Sequence, residues 1–144
     1  MTPDPRIYTV AIEWKDEYKV GVEIIDRQHQ RLIGVLSRLH EARERGTLTH
    51  DLLKTVIQDL ETYVSRHFVT EEELMEIYGY PGLEGQKRAH QEFANKVKEL
   101  RVLVMEGDLT VMTVIFRILE TWLENHIIKE DRGIGPFLNK KGLS

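Results

Sequence analysis

At 144 residues, with 41% hydrophobic and 31% charged residues, the chain has the size and composition of one globular domain with one core, which excludes a disordered tail protein. A formal charge of −4 argues against nucleic acid as a partner, and the absence of cysteine removes disulfides, thiolate metal sites and a cysteine nucleophile. No apolar run nears the roughly 18 residues needed to span a bilayer, and the start MTPDPRIYTVAIEW lacks a secretory signal's basic and apolar segments, so the expectation is a cytoplasmic protein without membrane association.

Residues 1–23 hold Pro3, Pro5 and Gly21 with no helical period and read as an ordered N-terminal arm, which Trp14 and Tyr18 could pin across the rest. From Asp26, a plausible N-cap, the period becomes 3.6, and Leu32, Ile33, Leu36 and Leu39 form the stripe of a helix over 26–45. A second helix is predicted over 49–78, with Leu52, Leu53, Val56, Ile57, Leu60, Val64 and Phe68 inward, stopped by Gly79-Tyr80-Pro81-Gly82. A third covers 83–105 and ends at Gly107. Its basic stretch KRAHQEFANKVKELR mixes charges at helical spacing and reads as a solvated face, not a binding patch. The fourth, capped by Asp108, covers 109–130 and ends before Gly133, Gly135 and Pro136. No segment reads as a strand. Four amphipathic helices with short connections predict an all-α, up-down-up-down four-helix bundle, with 1–144 as a single domain.

The chemistry lies on the inward stripes. His67 and Glu71 are spaced i, i+4 on the face that carries Val64, Leu74 and Met75, where ionisable groups are costly unless paired or metal-bound. Glu72 and Glu73 are rotated off that face by about one and two steps of 100° and read as solvated carboxylates. Gln86 and His90 repeat the i, i+4 spacing above Phe93 and Val97. His126 follows Leu119, Trp122 and Leu123, and His29 lies beside Leu32 and Ile33. One such histidine would be an ordinary core or boundary residue. Histidines on the apolar face of each of four helices instead describe how bundles build metal sites. Imidazole and carboxylate without thiolate suit iron, manganese, zinc or copper. The candidate donors His29, His67, Glu71, Gln86, His90, His126 and Asp131 exceed the four of a closed zinc site and fit two octahedral ions better. The Glu-x-x-His motif of ferritin-like carboxylate bundles is absent: Asp26, Val64, Lys87 and Leu123 stand three before the histidines. The zinc-peptidase His-Glu motif is absent as well. His40 and His50 fall outside the set, His40 about 16 Å along the helix from His29 and His50 at a helix start.

Four segments carry a resemblance: VGVEIIDRQHQRL, RHFVTEEELM, YGYPGLEGQKRAHQEF and WLENHIIKED. Together they resemble the bacterial members of the hemerythrin family of non-haem di-iron oxygen binders, from Trp14 to Leu138. The resemblance implies two iron ions (Fe2+/Fe3+), bridged by oxo or hydroxo together with Glu71 and Asp131. His29 and His67 would hold the iron with an open position, and His90 and His126 the other, with a third histidine. This chain departs at that third place, where Gly85-Gln86 stands for the family's Glu-His pair. Gln86 could ligate through its amide oxygen, hold a water in the ligand place, or leave the second iron weakly bound. At Asp131 resemblance and spacing disagree. Five residues after His126 it is turned about 140° on an ideal helix, and Glu130 would align better.

The resemblance implies reversible O2 binding for storage, delivery or sensing, with Leu32, Phe68, Trp122 and Leu123 lining the oxygen pocket. The competing reading is a di-iron redox enzyme acting on peroxide or nitric oxide at a labile place created by Gln86. A metal-free helical interaction module would leave the buried histidines and Glu71 unexplained. No protein partner is evident.

Overall fold

The computed structural model describes residues 13–107, 117, 121, 122, 125, 126 and 131–144. The chain folds as an all-α four-helix bundle, with no strand among the described residues. Among the described residues a 3-10 turn, Asp16–Tyr18, precedes α1 (Glu23–Glu44), α2 (His50–Tyr78) and α3 (Leu83–Met105). Helical conformation recurs at Arg117, Thr121 and Trp122, and α4 (Asp131–Lys140) follows. Most of the expected fourth helix, with its cap Asp108 and pocket residue Leu123, lies outside the described residues, as do residues 1–12 of the arm.

Side-chain pairs give the helix directions. Arg38 meets Asp59 and Gln28 meets Thr70, so α1 and α2 run antiparallel. Glu61 meets Arg101 and His50 meets the Val104 carbonyl, so α2 and α3 do as well. The apolar stripes close one core of Leu32, Leu36, Leu39, Leu53, Ile57, Leu60, Val64, Phe93, Val97 and Leu100, with Trp14 and Tyr18 packed against it. Thr49 caps α2 by accepting from Leu52 N at 3.1 Å. The helix ends on Gly79 at φ 72°, a left-handed turn in which Tyr80 N donates to the Met75 carbonyl at 2.8 Å.

Two expectations need correction. Asp26 does not cap α1; Val22 holds that position, and Asp26 sits inside the first turn, accepting from Val20 N at 2.8 Å and Gly21 N at 3.3 Å. It therefore fastens the arm to the helix. The Gly133, Gly135 and Pro136 punctuation does not end helical structure, because α4 runs through all three. Ile134 and Leu138, spaced i, i+4 and fully buried, join Val20, Val22, Ile25 and Met75 in a second apolar cluster whose burial outweighs poor helix propensity. Gly135 is required there, since a Cβ would lie 2.1 Å from the Val20 carbonyl oxygen. Asn139 adds a hydrogen bond to the Gly21 carbonyl at 2.9 Å. The arm, α1 and α4 are thus clamped at one end of the bundle, and Asp131 is the first residue of the clamped helix.

Candidate metal centre

Every histidine and carboxylate on the inward stripes reaches one buried region. His29, His67, Glu71, His126 and Asp131 are fully buried, His90 and Gln86 nearly so. One donor atom from each of the first five lies within 4.8 Å of all the others. His67 Nε2 stands 3.0 Å from His29 Nε2 and 2.7 Å from His126 Nε2, and is also in contact with Glu71 Oε1. His126 Nε2 is 2.9 Å from Glu71 Oε1 and 3.1 Å from Asp131 Oδ2, which in turn lies 2.8 Å from His29 Nε2.

Outer contacts fix how the imidazoles face this centre. His67 Nδ1 donates to Gln28 Oε1 at 2.9 Å. The Gln28 amide is oriented in turn by donating to Thr70 Oγ1 at 3.0 Å, and Thr70 donates to the Arg66 carbonyl. A neutral imidazole has one N–H, so this chain of bonds leaves His67 Nε2 as a lone pair pointing inward. His67 Nε2, Glu71 Oε1 and Asp131 Oδ2 are then acceptors crowded against each other, and only protons or a cation can reconcile them. Adjacent ligands on an octahedral ion with bonds of about 2.1 Å lie about 3 Å apart, which is the spacing these nitrogens and oxygens already have.

Titration follows the same crowding. Burial pulls the His67 imidazole down from 6.5 to about 4, against the attraction of Glu71. Burial alone would raise the Glu71 carboxyl, but the neighbouring His126 and then His67 outweigh it and hold it well below 4.5. For His29 burial acts downward, and hydrogen bonding to Asp131 and Glu71 overcomes it, leaving the group raised above 6.5. At neutral pH His67 offers a lone pair and Glu71 a charge, which suits a cation.

A second set of donors lies beside the first. Glu71 Oε2, Gln86 Oε1 and His90 Nε2 are all buried without a hydrogen-bond partner among the described residues, and His90 Nε2 is 3.6 Å from Glu71 Oε2. Glu71 therefore turns one oxygen to His67 and His126 and the other towards His90. Asp131 Oδ1 is likewise buried and without a partner, while Oδ2 faces His29 and His126. His126 Nε2 stands with His29 and His67, whereas the resemblance grouped it with His90.

The conflict over Asp131 is resolved by contact: its Oδ2 lies 3.1 Å from His126 Nε2 and 2.8 Å from His29 Nε2. Asn125 and His126 themselves adopt π-helical conformation. Glu130 lies outside the described residues. Glu73 is exposed as expected, but Glu72 is not simply solvated: its Oε2 lies 3.1 Å from His90 Nδ1. Gln28 and Glu72 are the residues that sequence reasoning missed. Their signal was adjacency, Gln28 beside His29 and Glu72 beside Glu71, on flanks where a long side chain reaches the neighbouring helix. His40 pairs with Glu44 at 3.9 Å and His50 with the Val104 carbonyl at 2.5 Å, both away from the centre.

Aromatic rings wall the centre. Phe68 stacks on His90 at 3.9 Å, and Trp122 stacks on His126 at 4.7 Å and on Phe93 at 4.0 Å. Leu32 is buried in the adjoining core.

These features define a helical-bundle protein with a buried imidazole and carboxylate cluster able to hold a metal. A sequence profile described as the Hemerythrin HHE cation binding domain matches residues 20–138, and the chain belongs to the hemerythrin family. It is 35% identical over 119 residues to a bacteriohemerythrin of Stenotrophomonas maltophilia, spanning 83% of this chain and 76% of that protein. A myohemerythrin of Riftia pachyptila is 30% identical over 114 residues, 79% of this chain and 82% of its own. A crystal structure of wild-type hemerythrin superposes with a TM-score of 0.80 at 27% identity, covering 90% of this chain and 98% of that one.

Proposed function

We propose that this protein binds dioxygen reversibly at a pair of iron ions, for storage, delivery or sensing. The observation that carries this reading is the division of the buried donors into two adjoining sets that share Glu71. His29, His67, His126 and Asp131 would serve one ion, and His90 and Gln86 the other. Glu71 and Asp131, each with two carboxylate oxygens in the centre, would bridge. When bound, a ferrous pair supplies the two electrons that reversible dioxygen binding of this type requires.

The chain's own part is to hold and exclude. Gln28 keeps His67 Nε2 free of its proton, so that nitrogen enters the site as a donor without prior deprotonation. Clamped by α4, Asp131 need not be ordered when a cation binds. Phe68, Trp122 and Leu32 place apolar surface beside the donors, which would slow proton delivery and with it the release of reduced oxygen. Gln86 favours a second reading, a redox enzyme acting on peroxide or nitric oxide, because a neutral amide oxygen is a weaker donor than imidazole and frees a place more readily.

Visible spectra through an oxygenation and deoxygenation cycle of ferrous-loaded protein test the choice. A band that appears with oxygen and disappears on its removal supports carriage. Irreversible ferric bleaching, or steady peroxide consumption with a reductant, overturns it in favour of the enzyme.

A further inference from the structure

His90 differs from its neighbours in what holds it. Its outer nitrogen, Nδ1, lies 3.1 Å from a carboxylate oxygen of Glu72, and its inner nitrogen, Nε2, is buried without a partner among the described residues. We infer that Glu72 is a positioning residue for the second cation place, accepting a hydrogen bond from His90 Nδ1–H and thereby fixing the tautomer whose Nε2 lone pair faces Glu71 Oε2. The inference rests on the reading of His90 as a ligand given above.

The geometry leaves the ring few alternatives. A carboxylate only accepts, so a neutral His90 must keep its single N–H on Nδ1 to bond Glu72. The Phe68 ring, stacked at 3.9 Å and 7°, holds the imidazole plane, and a ring flip would take Nδ1 away from Glu72. Glu72 reaches this position from a cleft of about 570 Å³ between α2 and α3, lined also by Phe68, Lys87 and His90. Its carboxylate stays partly in water and avoids the cost of full burial.

The two helices use different partners for the same task. His67, surrounded by His29, His126 and Glu71, has the neutral amide of Gln28 on its outer nitrogen. His90 shares its place with the neutral Gln86 and has a carboxylate instead. A carboxylate makes imidazole a stronger donor than an amide does, so the charge stands behind the histidine whose companion ligand is weakest.

Two measurements decide the matter. Long-range ¹H–¹⁵N NMR of histidine-labelled, metal-free protein reads the tautomer directly: wild type should carry the His90 proton on Nδ1, Glu72→Gln should keep it there, and Glu72→Ala should lose that preference. Cobalt(II) titration should show the second ion weakened about 10- to 100-fold in Glu72→Ala and by an intermediate factor in Glu72→Gln, with the first ion unchanged. A wild-type His90 protonated on Nε2, or equal second-ion affinity in wild type and Glu72→Ala, overturns the inference. Uptake of only one cobalt by wild type would refute the two-ion reading instead, and the tautomer would still decide what Glu72 does.

Discussion

Gln86 places an amide oxygen where the family resemblance implied imidazole, and the atom is buried with nothing to bond to among the described residues. An acceptor left that way costs about 1–3 kcal/mol, so a cation or a trapped water is what would compensate it. Gln86→His should tighten the second ion by about tenfold or more, equivalent to about 1.4 kcal/mol, and slow its exchange with a chelator. Equal affinities in the two proteins, measured by titration, would remove Gln86 from the site. His67 gives a prediction in pH. Its value is about 4 in the fold against 6.5 for the free group, so the unfolded chain takes up the proton first. The metal-free fold should lose stability through this group as pH falls from 6.5 towards 4, and Glu71, held below 4.5, adds a loss at still lower pH. His29, raised above 6.5, acts in the opposite sense. The clean comparison is therefore wild type against His67→Gln in urea unfolding across that range. The variant should show the flatter acid slope, and identical slopes would contradict the assignment.

At the scale of elements, α4 decides whether Asp131 is in place. Ile134 and Leu138 anchor it against Val20, Val22 and Ile25, and Gly135 allows the backbones to touch. Gly135→Ala should cost about 1–3 kcal/mol from overpacking and also weaken metal binding, although residue 135 touches no donor. Unchanged thermal stability and unchanged metal content would show that the clamp does not matter. Helices α1 to α3 were legible because apolar residues recur at 3.6 spacing over long stretches, and the bounds fell within a few residues of the expected ones. The signal for α4 was only the i, i+4 pair of Ile134 and Leu138, and two glycines and a proline obscured it. Asp26 was legible as a polar residue near a helix start, but not as a fastener of the arm, because that role depends on where Val20 and Gly21 come to lie. Position on a helical wheel placed His29, His67, Glu71, Gln86 and His90 inside. It could not give Glu72 or Gln28 their partners, since those lie on adjacent helices and depend on packing distance. Nor could ideal helical geometry select Asp131, whose carboxylate the fold brings within 3.1 Å of His126.

For the whole molecule, the cost of burying this many polar groups is set against what a bound cation returns. His29, His67, Glu71, His126 and Asp131 take positions that apolar side chains would otherwise fill, so the metal-free bundle should be the less stable form. Free metal at a hundred times its dissociation constant should add about 2.7 kcal/mol per site, seen as a rise in Tm that a chelator reverses. A Tm indifferent to metal would mean that the cluster is structural. Two cations sharing Glu71 at the junction of the two donor sets would both depend on that carboxylate. Iron counted per chain after anaerobic ferrous loading and gel filtration, in wild type and in Glu71→Ala, tests this most directly. Two irons in wild type, with both weakened in the variant, is the expected result. One iron or none in wild type, or two irons retained without Glu71, would contradict it.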